Sequence, residues 1–102
     1  MTEQAGPDRT GPAILDIGQG IGALLLHAPA FLKGREIEIS LVDDASRRVH
    51  TAVLEREWGG RRTHTAIFAR LKAGDYVVWG LDGQARSRVA IVDGGVTELD
   101  WR

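Results

Sequence analysis

The chain has 102 residues, 43% of them hydrophobic and 26% charged, which suits one globular unit and argues against a disordered chain. Thirteen basic residues against fourteen acidic ones leave a net charge of -1, so no overall field draws in a nucleic acid or an anionic membrane. Cysteine is absent, which excludes disulfides, thiolate metal sites and cysteine nucleophiles. No apolar run approaches the roughly 18 residues of a membrane span, and no basic-then-apolar signal pattern opens the chain. The expectation is a soluble, cytoplasmic protein with no membrane insertion, no nucleic-acid partner and no cofactor. Only Lys33 and Lys72 among the basic residues are lysines. GC-rich codon usage accounts for that bias, since nothing clusters the arginines as bidentate anion contacts would require.

In chain order, residues 1–12 hold two prolines and two glycines without an apolar pattern and read as a flexible leader. A single domain is expected over 13–102, because turn signals then recur every eight to twelve residues or so, the spacing of a β-sandwich or barrel. Ala13–Ile17 is the first expected strand. Three glycines follow at Gly18, Gly20 and Gly22, then the apolar run Ala23–Ala28, which Pro29 stops. Pro29–Gly34 reads as a loop or one helical turn. Glu36–Leu41 alternates cleanly, so Ile37, Ile39 and Leu41 should face a core while Glu36, Glu38 and Ser40 face water.

Val49–Trp58 and Arg61–Arg70 flank Gly59-Gly60. Two glycines between strand-like runs suit a type I′ hairpin, which needs positive φ at both central positions. That register sets Trp58 opposite Arg61, Leu54 opposite Thr65 and Val53 opposite Ala66. Gly74–Gly80, Arg86–Val92 and Val96–Trp101 complete the strands, separated by turns at Asp82-Gly83 and Asp93-Gly94-Gly95. The reading is an all-β, two-sheet sandwich of seven or eight short strands.

Within the second half, Phe68, Leu71, Gly74, Tyr76 and Val78 stand in an F-x-x-L-x-x-G-x-Y-x-V phrase, followed by Gly95-Val-Thr-Glu-Leu99. This phrase resembles carboxypeptidase-regulatory-like, Cna-B-like and transthyretin-like (prealbumin) β-sandwich domains, over roughly residues 61–101. The chain as a whole also resembles short actinobacterial proteins. The physical content of the phrase is that Phe68 and Leu71 close one end of a core. Gly74 supplies a turn, and Tyr76 buries its ring while its hydroxyl finds a backbone partner. Two departures limit what carries over. The purine-catabolism hydrolases of that fold end in Tyr-Arg-Gly-Ser, whereas this chain ends Leu99-Asp100-Trp101-Arg102. Asparagine is absent, so the usual Lys–Asn isopeptide bond cannot form.

Histidines at 27, 50 and 64 invite a metal or general-base reading. In the hairpin register His50 and His64 point to opposite faces, and metal sites need convergent ligands. Ser40, Ser46 and Ser87 have no G-x-S-x-G context for nucleophilic catalysis. Gly18-Gln-Gly20-Ile-Gly22 lacks the following helix that a phosphate loop requires, and reads as a turn or bulge. Asp43-Asp44 with Arg47-Arg48 suits a solvated turn more than a calcium loop. Arg61-Arg62 offers a cation–π contact to Trp58 at the hairpin tip.

The functional expectation is a non-catalytic interaction module or accessory subunit, binding a protein partner or itself through an apolar sheet face. Alternation leaves Trp79, Val77, Leu54 and Ile67 outward of a core built on Tyr76, Val78, Val53 and Phe68. Leu24 and Leu26 join the interface candidates, because Leu24-Leu25-Leu26 cannot all face inward. Trp79 is the expected anchor, since buried tryptophans dominate interface energetics. The alternatives are a small-ligand or carbohydrate module stacking its ligand on Trp58, Trp79 or Trp101, and last a histidine-dependent hydrolase.

Overall fold

Period-two alternation and closely spaced turns resolve into eight strands in the computed structural model, which describes residues 18–102. The expected leader 1–12 and the strand Ala13–Ile17 lie outside the described residues. The strands are β1 (Ile21–His27), β2 (Glu36–Leu41), β3 (Val49–Ala52), β4 (Leu54–Trp58), β5 (Arg61–Lys72), β6 (Gly74–Trp79), β7 (Ala85–Ile91) and β8 (Val96–Asp100). They form two four-stranded sheets, β4-β5-β1-β8 and β3-β2-β6-β7. Between β1 and β2 the chain makes one 3-10 turn, Ala30–Leu32. All described pairings are antiparallel except β1 with β8. The protein is an all-β sandwich.

The glycine-rich opening is a tight turn. Gly18 and Ile21 exchange backbone hydrogen bonds, and positive φ at Gly18, Gln19 and Gly20 reverses the chain into β1. The Asp93 carboxylate accepts from the Gly20 N–H at 2.7 Å, tying this turn to the one before β8.

Gly59 and Gly60 both have positive φ, 59° and 80°, as a type I′ turn demands. The register Leu54↔Thr65 through Trp58↔Arg61 is the expected one. The expected pairing of Val53 with Ala66 does not occur, because Val49–Trp58 is two strands and not one. β3 belongs to one sheet and β4 to the other. Val53 is the crossing point. Its N–H donates to the Arg35 carbonyl and its own carbonyl accepts from Gly34, while its side chain is fully buried. Ala66 pairs instead with Leu26 on β1.

A bulge explains how Phe68 and Leu71, three residues apart, share the core. Gly22 stands opposite Leu71 and Leu24 opposite Phe68, so two steps along β1 match three along β5. The extra residue flips the alternation of β5. A second bulge lies where Val78 faces Ser87 and Trp79 faces Ala85. Arg86, the residue left over, lies above the Trp101 ring at 4.0 Å.

The core fills the space between the sheets with Leu24, Leu26, Ile37, Ile39, Ala66, Phe68, Tyr76, Val78, Ile91 and Trp101, among others. Burying a side chain such as Leu24 stabilises the fold by roughly 1.5–3 kcal/mol. Ser40 departs from the alternation expected of β2, because it points out of the core yet is 1% exposed. Trp79, on the neighbouring strand, covers it.

Candidate functional site

The outward positions decide which residues a partner could reach, and the structure sorts the six expected interface residues into three groups. Leu24 and Leu26 are fully buried core residues, which removes them as interface candidates. The middle residue of the run, Leu25, takes their place, because strict alternation sends only one of the three away from the core. Leu54 and Ile67 lie on the outer face of the β4-β5-β1-β8 sheet. Val77 and Trp79 lie on the outer face of the other sheet. Alternation from the buried neighbours Val53, Ala66, Phe68, Tyr76 and Val78 sets each of these directions.

Trp79 is held by polar and charged groups. Its indole N–H donates to the Ser40 hydroxyl at 3.0 Å, and the Arg48 guanidinium lies 3.8 Å from its ring centroid. Arg48 also reaches Glu38 at 3.1 Å and the Ala45 carbonyl. One face of the indole is therefore occupied from within the chain, which weakens Trp79 as an anchor. Trp101 is buried, with its N–H on Ser87 at 3.1 Å. Trp58 at the hairpin tip is 59% exposed. Of the two arginines expected beside it, Arg62 turns to Glu55 at 3.4 Å.

On the β4-β5-β1-β8 sheet the outer apolar residues line up. Leu25 stands directly opposite Ile67. Leu54 faces Thr65, which places it one diagonal step from Ile67, within side-chain reach. Ala23 faces Val96 in the same manner. Leu54, Ile67, Leu25 and Val96 thus supply one apolar side chain from each strand in a diagonal row. Its ends are the most open, Leu54 at 49% and Val96 at 44%. Arg56 and Arg61 lie outward on the β4–β5 side of this row, Glu98 and Asp100 on β8.

The histidines are separated and each meets a carboxylate. His27 pairs with Glu98 at 2.7 Å, His50 with Glu36 and His64 with Glu55 at 3.8 Å. His50 and His64 belong to different sheets, a wider separation than opposite faces of one hairpin. Among the described residues no group of three metal-ligating side chains converges. The three serines are engaged by other partners: Ser40 and Ser87 accept from tryptophans, and Ser46 donates to Asp44. Glu55 also takes Lys33 at 2.9 Å. The hydrogen bond and the charge of Lys33, with lesser help from Arg62 and His64, hold its carboxyl below the usual range. Among the described residues no helix is long and apolar enough to cross a membrane.

No protein-family model and no curated protein matches the chain. A leucine-rich repeat protein from Bacteroides thetaiotaomicron VPI-5482 is similar over 80% of this chain, with 12% identity and a TM-score of 0.45. The chain spans 12% of the length of that structure.

Proposed function

We propose that the protein is a non-catalytic interaction module that pairs with a second copy of itself through the outer face of the β4-β5-β1-β8 sheet. The carrying observation is the diagonal row Leu54, Ile67, Leu25 and Val96 crossing all four strands. Contiguous outward apolar side chains of this kind mark interaction surfaces. A second copy fits this face because Leu25 and Ile67, on its two central strands, stand directly opposite each other. A two-fold axis lying between two such faces, roughly along the strands, sets the β4 edge of one copy over the β8 edge of its mate. Ile67 then meets Leu25 of the mate, and Leu25 meets the mate's Ile67, as an isologous interface requires. The transthyretin-like and Cna-B-like resemblance fits this reading, supported by Phe68, Leu71 and Tyr76 sharing one core. Such sandwiches serve many roles.

Sedimentation equilibrium of the wild type and of Ile67→Glu tests the proposal. The wild type should show twice the chain mass, and Ile67→Glu the mass of one chain with an unchanged circular-dichroism spectrum. A wild type that stays at single-chain mass at millimolar concentration overturns the self-pairing, as does an Ile67→Glu variant that remains a dimer.

A further inference from the structure

The chain enters β1 through a two-residue hairpin turn. The Gly18 N–H donates to the Ile21 carbonyl at 2.7 Å, and the Ile21 N–H returns the bond to Gly18 at 3.2 Å. Between them Gln19 and Gly20 have φ of 57° and 85°. Positive φ at both central positions is the type I′ geometry that joins antiparallel neighbours. It sends the chain upstream of Gly18 back along β1. The side is the one from which Gly94 also donates to the Ile21 carbonyl, at 2.9 Å.

On that side the edge of β1 is taken. The Ala23 N–H donates to the Gly95 carbonyl at 3.0 Å, and Ala23 stands opposite Val96, so β8 holds the place an upstream strand would need. The inner side is closed as well. Gly22 shares the inward phase of Leu24, and a Cβ there would run into the Val92 carbonyl and Ile91. Residues 13–17 must therefore pass over the outer side of β8 or run into solvent. Their sequence, Ala13-Ile14-Leu15-Asp16-Ile17, favours the first. In an extended segment Ala13, Leu15 and Ile17 share one side, and Asp16 takes the wet one with Ile14. The turn they would cross is flanked by two exposed aliphatic side chains, Val92 at 58% and Val96 at 44%. Five extended residues span roughly 16 Å and neighbouring strands lie about 4.8 Å apart, so Val96 on β8 and Leu25 on β1 are both within reach.

We propose that residues 13–17 dock across the start of β8, with Leu15 and Ile17 on Val96 and Leu25, and so cover the β8 end of the chain's own self-pairing face. A second copy must displace this segment to reach the apolar row, which makes the segment a regulator of pairing. That competition rests on the self-pairing reading; the docking itself does not.

Methyl ¹³C NOE spectra of the full chain test the docking. Cross-peaks from the Leu15 and Ile17 methyl groups to those of Val96 and Leu25 are the expected result. In a mixture of labelled and unlabelled chains, isotope-filtered spectra should lack those peaks, because the contact lies within one chain. Absence of the cross-peaks overturns the proposal, and so does their appearance in the filtered spectrum, which would seat the segment on another copy. Sedimentation equilibrium tests the competition. Leu15→Ser combined with Ile17→Ser should lower the dimer dissociation constant about tenfold, since the pairing-competent state no longer has to be uncovered. An unchanged or raised constant overturns the regulatory role. A wild type that stays at single-chain mass removes the self-pairing reading alone, and the NOE result still decides the docking, so the two fail separately.

Discussion

The Tyr76 hydroxyl donates to the Lys72 carbonyl at 2.7 Å, four residues upstream and across the turn into β6. The ring is 5% exposed and belongs to the core, so one residue both fills the sandwich and pins the β5–β6 connection. Tyr76→Phe keeps the packing and strands the carbonyl. It should cost about 1 kcal/mol, the net worth of one such hydrogen bond, read as a lower urea midpoint with an unchanged slope. Burial also raises the Tyr76 pKa above its ordinary 10.0. With the folded value above the unfolded one, this contribution is complete below about pH 10 and fades as pH rises through the folded value. Tyr76→Phe should lack that alkaline component.

Two glycines should fail for opposite reasons. At Gly60 a Cβ meets open space, but φ is 80°, so Gly60→Val should cost on the order of 1–2 kcal/mol of conformational strain. At Gly22 a Cβ would run into the Val92 carbonyl and approach Ile91 Cγ2 to 2.9 Å. Gly22→Ala should therefore cost about 1–3 kcal/mol by overpacking. Chemical denaturation of both variants checks this; a neutral Gly22→Ala would show that β1 and the turn before β8 can separate freely.

Phe68 is 5% exposed beside Leu71 and Tyr76 in one cluster. Phe68→Ala should remove roughly 3–5 kcal/mol, a large fraction of what a domain of this size has to lose. A cooperative thermal transition close to that of the wild type would contradict the packing described.

Asp100 is held at about 2, against an ordinary 3.8, chiefly by the side-chain hydrogen bonds from Arg102 and then by that residue's backbone N–H. A depressed carboxyl favours the fold above its ordinary value and loses that contribution as pH falls from about 3.8 toward 2. Arg102→Ala should return the Asp100 carboxyl toward 3.8 in a ¹³C NMR titration. An unchanged titration midpoint would assign the shift to another cause.

Local chemistry carried much of the fold. Alternation in Glu36–Leu41, the Gly59-Gly60 turn and the stop at Pro29 are properties of adjacent residues, and period two makes them legible without a partner strand. The hairpin register followed for the same reason, since a two-residue loop fixes which residues face each other. The end of the register was not legible. Val53 looks like any other residue of a long β run, and only its hydrogen bonds to Gly34 and Arg35 mark the crossing between sheets.

Residues distant in the chain decided the rest. An uninterrupted Leu24-Leu25-Leu26 run does not say which face is inward; the pairing with β5 and β8 settles it in favour of Leu24 and Leu26. The bulge that brings Phe68 and Leu71 together exists only against Gly22. Trp79 reads as an open aromatic until Ser40 and Arg48 close on it. Strand propensity and turn type act over a few neighbouring residues, whereas sheet assignment, burial of a given face and convergence of charges depend on contacts made only when the two sheets close.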